Sequence, residues 1–211
     1  MKKLFLLAAG AFLLTANLTS CKKGENDPAL SLKSRKARLT GEWTVTNMTG
    51  DESQIYTDLN ISESYSANRV YNGKNQINTI KDVNGNVKNV STSDDFTLTF
   101  TFKKDGTFTI AQKETANSSE MSSSGNWVFL DKNKNSKLKK KEAILLSMTS
   151  EKSVNNGESS VSTFSGLQGS SSLIFEIDEL KSKKMTLIDE SEQVKESFTY
   201  KSKTTYTLTA K

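Results

Sequence analysis

The stretch "FTLTFTFKKDGTFTI", Phe96 to Ile110, decides the fold of this chain. Phe96, Leu98, Phe100 and Phe102 share one parity, and Thr97, Thr99 and Thr101 share the other. A period of two sends successive side chains to opposite faces of a strand, and β-branched Thr suits a face in water. "KKDG", Lys103 to Gly106, then turns the chain, and Phe108 and Ile110 restart the apolar parity. Strand, glycine-bearing turn and second strand predict an antiparallel hairpin with one apolar face.

The same alternation spreads outward in both directions. It appears at Trp43 and Val45, at Trp127 and Phe129, and at Ile144, Leu146 and Met148. It recurs at Phe175 and Ile177, at Met185 and Leu187, and along Phe198, Tyr200, Tyr206, Leu208 and Ala210. Asn72-Gly73 and Asn84-Gly85 spell tight hairpin turns, and Asn156-Gly157 marks a further hairpin. Leu32, Lys36 and Leu39 fall at helical spacing and predict a short helix ahead of the strands; no three-turn helix is expected elsewhere. "KETANSSEMSSSG" (Lys113 to Gly125) and "EKSVNNGESSVSTFSGLQGSSS" (Glu151 to Ser172) lack an apolar parity and read as loops or frayed hairpins. The expectation is an all-β domain over residues 39–211, with about eight to ten antiparallel strands in a barrel or sandwich.

Composition narrows the chemistry. The chain has 211 residues, 34% hydrophobic and 25% charged, in keeping with one soluble domain. Histidine is absent, which excludes Ser-His-Asp and Cys-His catalysis and any His-based zinc site. The net charge is +5, and +3 once Lys2 and Lys3 are discounted with the leader described next. That small excess, with no basic stripe interleaved with aromatics, argues against a nucleic-acid partner.

"MKKLFLLAAGAFLLTANLTSC", Met1 to Cys21, reads as an export signal. Lys2 and Lys3 precede an apolar run, Leu4 to Leu14, that is too short to span a bilayer comfortably. Its end, "LTSC", resembles the lipobox of bacterial lipoproteins, which implies acylation of Cys21 and removal of residues 1–20. Cys21 is the single cysteine, so it serves no internal disulfide. More than one acyl chain on that residue suffices for stable membrane attachment. Residues 21–38, with Pro28, then form a tether and the short helix. By the same resemblance, Lys22 fits sorting to the outer membrane, and "KKGEND" loosely fits display at the cell surface; the periplasmic and surface sides stay open.

Both tryptophans follow a glycine by two positions, in "GEW" (Gly41 to Trp43) and "GNW" (Gly125 to Trp127). A glycine opening a strand lets the backbone bend, and the indole then closes one end of a core. "LTGEWTVTNMTG" resembles the opening strand of lipocalins. Together with "FTFKKDGTFTI", "GNWVF" and "FEIDELKSKKMTLIDE" it is similar to the lipocalin-like lipoproteins of Gram-negative bacteria. The resemblance implies an up-and-down barrel whose interior is either a cup for an apolar ligand or filled by side chains. Many lipocalins pack a late Arg on the first Trp; here Arg occurs only at positions 35, 38 and 69, so that role falls to Arg38 or a Lys. Trp43, Phe100, Phe108, Trp127, Phe175 and Tyr200 are the candidate ligand-lining residues, with plain core as their alternative reading.

"DKNKNSKLKKKE", Asp131 to Glu142, imitates a calcium loop at positions 1, 3, 5 and 12. Ser136 stands where the loop needs Gly, the flanks read as strands, and six lysines oppose Asp131 and Glu142. The segment is expected to be a basic hairpin connection whose lysines can touch anionic headgroups, and no metal or other cofactor is expected. Glu176, Asp178, Glu179, Asp189 and Glu190 cluster in sequence, yet alternation puts Glu176 and Asp178 on the wet face, so catalysis is not expected. The functional expectation is a membrane-anchored lipocalin-like lipoprotein binding a small apolar ligand or an envelope partner. A structural or interaction lipoprotein with a filled barrel is the alternative.

Overall fold

The computed structural model describes residues 33–56, 64–130, 142–164 and 171–211. The signal segment, Cys21 and residues 131–141 of the calcium-like stretch lie outside the described residues. A short helix α1 (Arg35–Leu39) is capped by Ser34, whose hydroxyl accepts from the Ala37 amide at 3.1 Å. The strands follow as β1 (Gly41–Tyr56), β2 (Tyr65–Tyr71), β3 (Gln76–Asp82), β4 (Val87–Ser93), β5 (Phe96–Phe102) and β6 (Thr107–Glu114). Then come β7 (Ser119–Leu130), β8 (Glu142–Asn155), β9 (Glu158–Thr163), β10 (Ser172–Leu180), β11 (Lys184–Lys195) and β12 (Phe198–Ala210).

Eight of these strands close an antiparallel barrel in the order β1-β5-β6-β7-β8-β10-β11-β12, and the β12–β1 pairing seals it. Closure removes the sheet edge that an open β-sheet leaves unpaired. Two strands are shared. Gly41–Thr44 of β1 pairs with β5, whereas Met48–Gln54 pairs with β2, so β2, β3 and β4 form a flap branching from the barrel wall. Likewise Glu142–Ser147 of β8 pairs with β10, and Ser150–Asn155 pairs with β9. One end is therefore a closed barrel. At the other end the strands continue as two separate sheets around an open mouth.

The Ser-rich stretches are paired strands where loops or frayed hairpins were expected, and the expected hairpin at Asn156-Gly157 joins β8 to β9. Ser119–Gly125 is the first half of β7, Glu151–Asn155 extends β8, and Glu158–Thr163 is β9. Both faces of these strands are polar, so no apolar alternation betrays them. Cross-strand pairs such as Ser119–Asn155 (2.8 Å) and Ser153–Ser160 (2.9 Å) hold them instead.

The barrel interior is occupied by side chains. Trp43, Phe100, Phe102, Phe108, Trp127 and Phe175 belong to one buried cluster to which every barrel strand contributes inward apolar side chains. Phe100 and Phe175 meet edge to face at 5.9 Å, and Tyr206 caps both at 6.0 and 5.7 Å. Phe102 and Phe129 flank Trp127 at 5.9 and 5.4 Å.

The two Gly-x-Trp glycines have different causes. Gly41 holds φ at +139°, a conformation that disfavours any Cβ. Gly125 sits where the β7–β8 register shifts, and a Cβ there would lie 2.0 Å from the Ser147 carbonyl oxygen. In both cases the indole two residues later is buried and anchored. Trp43 Nε1 donates to the Leu39 carbonyl at 2.8 Å, and Trp127 Nε1 to that of Lys103 at 3.1 Å.

Candidate functional site

The closed end is plugged by α1. Leu39 is fully buried and Arg38 nearly so, with Arg38 Nη1 donating to the Leu180 carbonyl at 2.7 Å. Arg35 pairs with the buried carboxylate of Glu142, the described residue of the calcium-like stretch. Lys36 lies 5.8 Å above the Trp127 ring. A register shift between Ile177 and Glu179 turns Glu179 inward, where Lys181 and Lys184 (2.8 Å) neutralise it. Burial raises the Glu179 pKa, but hydrogen bonds from the two lysines outweigh this and leave it below the ordinary glutamate value. Glu142 and Glu179 thus meet their cations at this end, while Arg38 Nε is buried with no hydrogen-bond partner among the described residues.

The mouth is different. Asp189, Thr204, Gly50, Arg69, Asn78 and Ser91 are successive cross-strand partners on β11, β12, β1, β2, β3 and β4. They carry on the face that, one row deeper, presents Tyr206, Met48 and Tyr71 to the core. The next row outward presents Ser202, Glu52, Ala67 and Ile80. Gly50, Ala67 and Ser202 leave little side chain between taller neighbours, and the result is an open cleft of about 420 Å³. Tyr65 and Tyr200 stand at its outer rim, and Tyr206 forms its inner wall.

Opposite charges face each other across this floor. Asp189 and Arg69 stand three ladder steps apart, about 14 Å between strand axes. Arg69 Nε donates to Asn78 Oδ1 at 2.9 Å, which orients the guanidinium. Asp189 enters no ion pair or hydrogen bond among the described residues, and partial burial pushes its pKa up. Burial, reinforced by Asp189 and opposed by Arg69 and Thr204, raises that of Tyr206. Burial and then the Glu52 carboxylate raise that of Tyr65. Such an arrangement offers hydrogen-bond donors, acceptors and aromatic edges to a polar guest. A larger depression, about 570 Å³, lies on the opposite face of the same sheet. The ladder pairs Lys201–Glu192 (3.1 Å) and Lys203–Glu190 (3.9 Å) already neutralise four of the charges that line it, so these offer less to a ligand.

Of the six candidate lining residues, Trp43, Phe100, Phe108, Trp127 and Phe175 come together in the packed core, each at most 4% exposed. Tyr200 stands apart from them, at the mouth. Asp189, Arg69, Glu52, Tyr65 and Tyr206 were not among the residues singled out as lining candidates. One signal was available for Asp189: it continues the inward parity of Met185 and Leu187, a carboxylate where an apolar residue is expected. Among the described residues no group of three Cys, Asp or Glu is placed to hold a metal ion.

These features define a small antiparallel barrel with a filled lumen, a helical plug and a polar, flared mouth. Comparison with protein-family models, with curated proteins and with solved structures finds no match.

Proposed function

We propose that this chain is a lipid-anchored, lipocalin-like envelope lipoprotein without catalytic activity, which engages its ligand or partner through the mouth and not through the lumen. The supporting observation is the contrast between the two spaces. Side chains fill the barrel, so a hydrocarbon guest would have to displace packed aromatics, at several kcal/mol. The mouth keeps an open polar cleft with a half-buried carboxylate that has no partner among the described residues. The sequence "LTSC" ending at Cys21 supports a lipid anchor, and Lys22 after it supports sorting to the outer membrane, with the short stretch before α1 as the tether.

The test uses site-specific photo-crosslinking in intact cells. A crosslinking side chain at Tyr200, on the rim, is expected to capture a discrete partner or ligand, whereas one at Ile174, exposed on the barrel wall, is not. Equal capture from both positions would sink the mouth assignment. Saturable binding of a fluorescent fatty-acid probe that Asp189→Asn leaves unchanged would return the lumen reading. Loss of labelled acyl chain on Cys21→Ser checks the anchor separately.

A further inference from the structure

The described charges are divided along the barrel axis. The closed-end segments are residues 33–43, 101–108, 126–130, 142–143, 177–185 and 208–211. They hold ten Lys and Arg against five Asp and Glu. All other described residues hold nine against fourteen. The plugged end is thus +5 and the mouth half −5, although the described residues as a whole are neutral. Sixteen-residue β1 runs from one end toward the other, about 50 Å at the usual rise per residue. Charges separated over that length are not averaged out by salt, because the screening distance at physiological ionic strength is about 8 Å.

Chain direction adds a second observation. The described chain begins at Lys33, beside the plug, so the segment that bears Cys21 joins the described domain at the basic end. Lys103, Lys104 and Lys183 are exposed there and form no ion pair among the described residues. At the other end the surplus is acidic. Charge and chain exit therefore point the same way.

We propose that the plugged end is a docking face for an anionic phospholipid surface, which holds the barrel upright with its mouth directed away from the bilayer. The contact is electrostatic, since the plug buries its apolar residues inside the barrel. Each cation within reach of an anionic surface changes partitioning by about fivefold, and the acidic mouth is repelled by the same field. Attachment through one residue alone does not set the domain's orientation; the charge asymmetry does. This docking goes beyond acylation, and the two can fail independently.

The full chain, exported and processed by its host, is first weighed by mass spectrometry to learn whether Cys21 carries acyl chains. It is then mixed with vesicles of pure phosphatidylcholine or with 30% phosphatidylglycerol, chosen as probes. Single-cysteine dyes at Ser182, in the closed-end turn, or at Asn84, at a mouth hairpin, are read for quenching by headgroup nitroxides. If Cys21 is not acylated, it is replaced by Ser in these variants so that the dye site remains unique. With anionic vesicles in 0.1 M salt the Ser182 dye is expected to be quenched at least twofold more than the Asn84 dye. The difference should vanish with pure phosphatidylcholine, in 0.5 M salt, and in a Lys103→Glu/Lys104→Glu/Lys183→Glu variant. Lys81→Glu/Lys195→Glu, reversing mouth charges, should leave it unchanged. Equal quenching of the two dyes on anionic vesicles overturns the proposal, as does a difference that survives the closed-end reversal. An unacylated Cys21 with intact asymmetry would refute only the anchor.

Discussion

Replacing Gly125 by Ala tests whether the second Gly-x-Trp glycine is a packing necessity. The added Cβ would stand 2.0 Å from the Ser147 carbonyl oxygen and 2.9 Å from Met148 Cα. Both obstacles are backbone, so no rotamer change relieves them. Real Cβ contacts essentially never fall below 3.0 Å, so β7 and β8 must part locally by about 1 Å. A ladder hydrogen bond stretched from about 2.9 to about 3.9 Å is lost. Losing one or two such bonds costs about 1–2 kcal/mol, and disturbing the core around Trp127 and Phe108 adds about 1–3 kcal/mol. The sum, about 2–5 kcal/mol, corresponds to a fall in Tm of roughly 10 °C for a domain of this size. Thermal unfolding followed by fluorescence suits the measurement, because Trp43 and Trp127 are both buried. Gly85→Ala is the control: Gly85 has φ +82° but nothing within 4 Å of its virtual Cβ, so only the conformational cost of about 1–2 kcal/mol applies. A Gly125→Ala Tm within 2 °C of the parent, or a Gly85→Ala effect larger than it, refutes the reasoning.

Three other outcomes are expected. Asp189→Asn should raise Tm at pH 7, because burial holds the folded pKa above the unfolded value and ionisation opposes folding. The gain should shrink as pH falls through the folded pKa and be absent below about pH 3.9, in a Tm-versus-pH series. Glu179→Gln should have the opposite signature. A folded pKa below the unfolded one gives stability that is present above about pH 4.3 and lost as pH falls through the lowered value. Its size should be about 1 kcal/mol in urea titrations, since Lys181 and Lys184 are half in water. Tyr71→Phe removes the 3.0 Å bond from the phenol to the Phe96 carbonyl, which ties the flap to β5. It should cost about 1 kcal/mol and speed amide exchange in β2–β4 more than in β10–β12.

The strands with one apolar face were legible from alternation alone, and Phe96–Phe102 shows the buried parity it promised. The flap was not, because β2, β3 and β4 expose polar groups on both faces; only the turns at Gly73 and Gly85 gave it away, with φ at +91° and +82°. The bulge between Val45 and Asn47 moves the inward parity of β1 from Trp43 and Val45 to Met48, which no fixed period anticipates. A similar shift buries Glu179. The mouth was hidden for another reason. Asp189 and Arg69 are distant in sequence and meet one cleft only because β11, β12, β1 and β2 lie side by side. The inward aromatics, by contrast, announced themselves, and that same visibility drew attention to the core and away from the cleft.

The double use of β1 has a consequence for how this molecule can change. Its first residues and its whole length against β12 complete the barrel, while Met48–Gln54 merely lends a free side to β2. The flap is therefore a graft on a finished frame. Its hairpin tip at Asn84-Gly85 can lengthen, shorten or alter its side chains while the frame keeps its hydrogen bonds and its plug, whereas the Asn72-Gly73 turn is fixed to the frame by the Phe96 amide, which donates to the Lys74 carbonyl at 2.8 Å. A display of the mouth with a randomised β3–β4 tip would keep one scaffold and vary what it greets.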